Sequence, residues 1–90
     1  MNKTLTEHES RLKRLKFRSW HRGWKETDLI LGGFADAKLG TLDDAQLEAF
    51  EQLLDQDDDI IWGWIIGKTE TPAEFSGIIA ILDGYGRPSV

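Results

Sequence analysis

Asp57-Asp58-Asp59-Ile60-Ile61-Trp62-Gly63-Trp64-Ile65-Ile66 is the stretch on which the fold turns. Judged by propensity alone, the β-branched and aromatic residues from Ile60 to Ile66 read as a strand. A strand needs a partner, however, and no second β-rich segment exists elsewhere in the chain. The three carboxylates immediately before the run favour a helix start, because the macrodipole is positive there. Read as a buried helix, the run makes the whole chain all-α.

The segments on either side are punctuated as helices. Upstream, Thr41 followed by Asp44 resembles a capping box with Asp in place of Glu, and Leu47, Phe50 and Leu54 recur behind it at i, i+3 and i+7. Before that, a helix is expected from about Trp24 to Lys38 with Leu29, Ile30 and Phe34 inward, and Gly40 as its stop. The first helix is expected to start near Thr4, with Glu7 three positions on, to carry Leu12, Leu15 and Trp20, and to fray near Gly23. Downstream, Thr71-Pro72-Ala73-Glu74 is a start signal: Thr71 as N-cap, Pro72 at the first helical position and Glu74 reaching back. Phe75, Ile78, Ile79 and Leu82 then form one apolar face, and Gly84 and Gly86 end it. Five short helices joined by short turns predict a compact five-helix bundle, one small domain over residues 1–90, with 1–8 and 85–90 flexible.

Ninety residues make one domain that buries about 60–65% of its unfolded surface, with little room for a core and a catalytic cleft together. The chain has no cysteine, which excludes disulfides, thiolate nucleophiles and cysteine-based metal centres and suggests an intracellular setting. No apolar run approaches the ~18–20 residues that cross a membrane, and no signal peptide is visible, so a cytoplasmic protein without membrane insertion is expected. An Arg- and Ser-rich presequence is likewise not seen, which favours a bacterial cytoplasm over a mitochondrial matrix.

The net charge of −5 is unevenly distributed. Residues 1–25 hold eight basic side chains against two acidic ones, a balance of +6, which leaves −11 on the other 65 residues. Opposed patches of this kind steer and orient a partner. A basic helix interleaved with Phe17 and Trp20 also raises nucleic-acid binding as an alternative, against which the acidic remainder argues. A generic adaptor is a further alternative, and a monomer is the default.

Several motifs imitate known sites and fail on spacing. Gly63-Trp64-Ile65-Ile66-Gly67-Lys68-Thr69 looks like a phosphate-binding loop, but three bulky residues separate its glycines where four are required. Asp55-x-Asp57-x-Asp59 begins like a calcium loop, but Ile60 stands where glycine is needed and Ile66 where glutamate is needed. The two histidines, His8 and His21, lie thirteen apart in a basic region that repels cations. Ser10, Ser19, Ser76 and Ser89 lack the flanking glycines of a nucleophile elbow. The residues offer no metal centre and no catalytic group, so an enzyme is not expected.

What remains is His21-Arg22-Gly23-Trp24-Lys25-Glu26-Thr27-Asp28, in which a cation, a glycine and two carboxylates stand beside large aromatics. Arg and Trp are enriched at binding hot spots, and glycine admits another backbone. If Arg22 and Glu26 share a first helical turn, their i, i+4 spacing lets them pair with each other or with a partner. Trp20 and Trp24 flank the segment and are candidates for exposure. Trp62 and Trp64 are expected to be at least partly core.

Arg22-Gly23-x-x-Glu26-x-Asp28 followed by an apolar helix resembles the signature of the small succinate dehydrogenase assembly factors. The resemblance continues through Phe34, Leu53-Leu54-Asp55-x-Asp57-Asp58, Trp64 in Gly-Trp-Ile and Pro72-Ala73-Glu74, and covers about Leu12 to Leu82. It implies a buried helix over Ile60–Ile66. It also implies a non-enzymatic factor that binds the flavoprotein subunit of succinate dehydrogenase and promotes covalent attachment of FAD to a histidine of that partner, with the fumarate reductase counterpart as a second candidate. The factor itself would bind no cofactor stably. By position, the resemblance makes Arg22, Gly23 and Glu26 the recognition surface, with Asp28 orienting it or capping the second helix. Trp20, Trp24 and Arg18 complete the candidate partner-binding set.

Overall fold

The computed structural model describes residues 6–86. They form α1 (Glu7–Trp20), α2 (Lys25–Lys38), α3 (Asp44–Leu53), α4 (Asp58–Ile65) and α5 (Ala73–Gly86), with one 3-10 turn at Leu39–Thr41 between α2 and α3. Among the described residues there is no strand, and the chain is the all-α bundle expected. The tails expected to be flexible lie largely outside these residues, Arg87–Val90 entirely so.

The deciding run is α4. Ile61 and Ile65, four apart, are buried with Gly63 between them, while Trp62 and Trp64 are half-buried against the core. Packing against α2 on one side and α5 on the other outweighs the local strand preference. Gly67, at φ +77°, then reverses the chain, and the N–H groups of Lys68 and Thr69 donate to the Gly63 carbonyl at 2.8 and 3.2 Å. Those amides, which a phosphate-binding loop would offer to a ligand, are thus engaged internally.

The starts of α1 and α3 follow capping chemistry at shifted positions, whereas α2 starts after Trp24 without a side-chain cap and α5 starts at Ala73, one residue beyond the expected Pro72. Thr6 and Glu9, two residues beyond the expected Thr4 and Glu7, form the capping box of α1, each side chain bonding the other's N–H at 3.0 Å. Asp43 and Gln46 form that of α3, at 2.8 and 2.9 Å, in place of Thr41 and Asp44. Thr41 instead donates to the Lys38 carbonyl at 2.7 Å, closing the 3-10 turn. Gln at the third helical position reaches back farther than Asp can, which is why the later pair wins. Gly84 does not end α5, which continues to Gly86.

The core gathers Leu31, Phe34 and Ala35 of α2, Leu47, Phe50 and Leu53 of α3, Ile61 and Ile65 of α4, and Phe75, Ile78, Ile79 and Leu82 of α5. Phe34 and Phe50 meet at 5.6 Å between ring centroids, and Trp64 stacks on Phe75 at 5.2 Å. Helix α1 contributes the buried Leu15, the half-buried Leu12 and the hydroxyl-satisfied Ser19, whose Oγ donates to the Leu15 carbonyl at 2.7 Å. It is held chiefly against α2, and by arginines that reach α3 and the α3–α4 turn.

Two adjacent glycines on α2 have opposite surroundings. A Cβ on Gly32 would lie 2.3–2.7 Å from the Trp20 ring, whose Nε1–H donates to Asp36 at 3.1 Å, whereas a Cβ on Gly33 would meet nothing within 4 Å. Leu29, expected inward, points out and is 55% exposed. The buried stripe runs instead through Thr27, Ile30, Leu31, Phe34 and Ala35, and Leu29 falls on the opposite side of the 3.6-residue period. Gly33→Ala is expected to stabilise the fold by about 0.5–1 kcal/mol through helix propensity. Gly32→Ala, though chemically the same, is expected to destabilise it by about 1–2 kcal/mol, because the Trp20 ring must leave its seat and its bond to Asp36. Urea unfolding followed by circular dichroism distinguishes them. Equal shifts of the same sign would refute the Trp20–Gly32 packing.

Candidate docking surface

The segment between α1 and α2 is anchored by one guanidinium. Arg22 lies outside both helices, in the turn that follows α1, and its side chain is only 9% exposed. Its Nε donates to Asp58 Oδ1 at 2.6 Å, its Nη1 to the Leu54 carbonyl at 2.7 Å, and its Nη2 to the Gln56 carbonyl. Leu54 is the C-cap of α3 and Asp58 sits in the first turn of α4. The cation therefore meets carbonyls at the negative end of one helix and a carboxylate at the positive end of the next, each a favourable placement.

Asp58 is held from a second side. The buried Thr27 hydroxyl lies 2.9 Å from the same Oδ1 and 3.2 Å from the Trp24 carbonyl. With one proton to give, it serves the shorter contact to the carboxylate. Asp28 Oδ1 accepts the Arg22 backbone N–H at 2.8 Å, which ties the turn after α1 to the first turn of α2. The sequence placed Asp58 at a helix start and Thr27 inside the motif, but gave neither of them, nor the Leu54 and Gln56 carbonyls, a role at Arg22; the fold brings Asp58 and the two carbonyls 32–36 positions along the chain to this point.

With Arg22 drawn inward, its neighbours are presented outward. Gly23 has φ +112° and open space where a Cβ would stand. Trp24, the N-cap of α2, is 41% exposed, and Glu26 is exposed with no ion pair among the described residues. The Arg22–Glu26 pair allowed by sequence spacing is not formed, since Arg22 is not helical and its guanidinium is engaged elsewhere. Trp20 is 36% exposed, one face on Gly32. Arg18 pairs with Asp55 at 2.8 Å in solvent. His21 stacks on Phe17 at 4.0 Å between centroids, its Nδ1 2.7 Å from the Phe17 carbonyl, so that nitrogen carries the proton.

Chemically the arrangement presents groups suited to contact. It has open carboxylate and aromatic side chains and a bare backbone, but no nucleophile paired with a base. The groove of about 480 Å³ lined by Phe34, Lys38, Thr41, Leu42, Ile81 and Gly84 includes none of its residues. Part of the expected charge asymmetry is neutralised internally, because Arg11, Arg18 and Arg22 each pair with an acidic residue, Glu51, Asp55 and Asp58.

A family model described as flavinator of succinate dehydrogenase matches residues 13–85. Succinate dehydrogenase assembly factor 2, mitochondrial, of Dictyostelium discoideum is 40% identical over 75 residues, covering 83% of this chain and 53% of its own length. The FAD assembly factor SdhE of Acetobacter pasteurianus is 38% identical over 65 residues, covering 72% and 60%. The Schizosaccharomyces pombe assembly factor 2 is 35% identical over 89 residues, covering 97% and 64%. This chain therefore spans about half to two-thirds of the length of these relatives.

Arg22→Met is expected to lower stability by about 3–5 kcal/mol, because it leaves Asp58 and the α3 carbonyls without their cation. Arg18→Met, which removes a solvent-exposed pair, is expected to cost at most about 1 kcal/mol. Similar urea midpoints for the two variants would contradict the anchoring role of Arg22.

Proposed function

The chain belongs to the succinate dehydrogenase flavinator family, and on that premise we propose that it docks on the flavoprotein subunit of succinate dehydrogenase and promotes covalent attachment of FAD to that subunit. The observation that carries this reading is the outward presentation of Gly23, Trp24 and Glu26 by an inward-facing Arg22. Glu26 offers an unpaired carboxylate to a cation of the partner. Gly23, with nothing over it, lets the partner's backbone approach.

In this reading the chain is a binding module and not an enzyme. Bond formation between flavin and histidine belongs to the cofactor and the partner's own site. This chain supplies orientation, and its own glycine-rich segment, with the Lys68 and Thr69 amides bonded to Gly63, is unsuited to cradle a phosphate. In this reading it binds no FAD stably and acts on the attachment of FAD to its partner. It acts as a monomer, with the fumarate reductase flavoprotein as a second candidate partner. Among the described residues no helix is long and apolar enough to cross a membrane. A bacterial cytoplasm is the compartment we infer.

Covalent flavin, read as in-gel fluorescence of the denatured flavoprotein, tests the reading in cells with the native chain, with Gly23→Arg or with none. A band that requires the native chain and is lost with Gly23→Arg is expected; equal bands in all three would overturn the function. Because any L side chain at φ +112° is strained, Glu26→Ala provides a variant without backbone cost. It is expected to weaken flavoprotein binding by about tenfold or more while shifting Tm by no more than about 2 °C. Unchanged binding would leave Glu26 an ordinary surface residue.

A further inference from the structure

Six large apolar side chains are exposed among the described residues, and four of them, Phe17, Trp20, Trp24 and Leu29, fall within thirteen consecutive positions around the docking segment. A scattered exposed leucine is unremarkable, but a concentrated apolar patch marks a contact surface. Leu29 is the most exposed of those on α2, takes no part in the core, and lies one turn beyond Glu26. One turn further stands Gly33, a glycine inside a helix with no internal reason to be one. Its backbone is not in the left-handed region, and a Cβ would touch nothing. Gly32 beside it is accounted for by the Trp20 ring; Gly33 is not. Glycine in a helix interior costs stability, and an external backbone or side chain lying close to the helix is a physical use for it.

Glu26, Leu29 and Gly33 are spaced i, i+3 and i+7, so they share one outward stripe of α2, opposite the buried Thr27–Ile30–Leu31–Phe34 side. We infer that this stripe is the second half of the docking surface: Leu29 enters an apolar recess of the partner flavoprotein, Gly33 lets the rim of that recess lie against the α2 backbone, and a cation of the same rim meets Glu26. This inference rests on the proposed function for the partner's identity. The occupant is assigned by continuity with the Gly23–Glu26 surface, and by the charge that the unpaired Glu26 carboxylate requires opposite it. Footprint and motif then form a single strip from the α1–α2 turn along two turns of helix.

The test measures binding of the purified full chain to the purified flavoprotein subunit of succinate dehydrogenase, without covalent FAD, by biolayer interferometry. Leu29→Ala is expected to raise Kd by about tenfold, and Leu29→Glu by about a hundredfold, as for the central anchor of an interface. Gly33→Gln is expected to raise it by about tenfold or more by occupying the close approach. Ile66→Ala, removing an apolar side chain that is 42% exposed at the C-cap of α4 and not part of the α2 stripe, is expected to leave Kd within about twofold. Thermal melts of each variant confirm the fold, which exposed helical positions tolerate. Native-like binding by Leu29→Glu overturns this inference and leaves the proposed function standing. An equal loss with Ile66→Ala overturns it as well, since the effect would not be confined to the stripe. Failure of the native chain to bind overturns both the inference and the function.

Discussion

The Arg22 guanidinium is the constraint on which the arrangement of this small bundle depends. It joins three parts of the chain: the turn after α1, the C-terminal end of α3 and the N-terminal end of α4. At 9% and 12% side-chain exposure, Arg22 and Asp58 are largely removed from water. Such a pair is stable only when the remaining hydrogen-bonding capacity is met. Here it is met by two carbonyls on the cation and by the Thr27 hydroxyl on the anion. The geometry of the turn follows: with its side chain committed inward and its N–H committed to Asp28, Arg22 leaves the chain one way to enter α2, and that path requires positive φ at Gly23.

The three arginine–carboxylate pairs differ in worth although they look alike in sequence. Arg11–Glu51 and Arg18–Asp55 lie at 3.0 and 2.8 Å with side chains 29–66% exposed, where solvent and salt reduce an ion pair to a fraction of a kcal/mol. They align α1 along α3 more than they stabilise it. Arg22–Asp58, shorter and covered, specifies the structure and makes it intolerant of losing either partner. The basic character of residues 1–25 thus has two uses. Arg22 anchors the fold and Arg11 and Arg18 align α1, while Lys13, Arg14 and Lys25 remain exposed.

Much of this was legible in the sequence, for identifiable reasons. Helix existence followed from periodicity and caps, and even the strand-like Ile60–Ile66 run could be placed as helix because a strand there would have had no partner. Cap positions were missed by about two residues where two plausible boxes stood close together, as at Thr4 and Thr6 or at Thr41 and Asp43. Leu29 was misplaced because Leu29 and Ile30 are adjacent apolar residues, and only the true phase of the stripe, set by Thr27, Leu31 and Phe34, decides which faces in. The docking motif was visible as a composition, but its division of labour was not. An arginine beside a glycine reads as a hot spot, and nothing local discloses that Asp58, thirty-six residues away, will claim it.

That arrangement also bears on how, under the proposed function, a binding module influences a covalent reaction elsewhere. Under the proposed function, the chain accelerates flavin attachment only by binding one conformation of its partner better than another, at about 1.4 kcal/mol for each tenfold shift in population. A flexible recognition loop would give up part of that differential affinity to its own ordering. The Arg22 network orders the loop in advance within the free chain, so Gly23, Trp24 and Glu26 meet the partner already arranged. Arg22 is therefore best understood as a positioning residue whose effect on binding is transmitted through the backbone it holds. Under the proposed function, the motif divides into an internal anchor, Arg22, and the exposed groups that it holds in place.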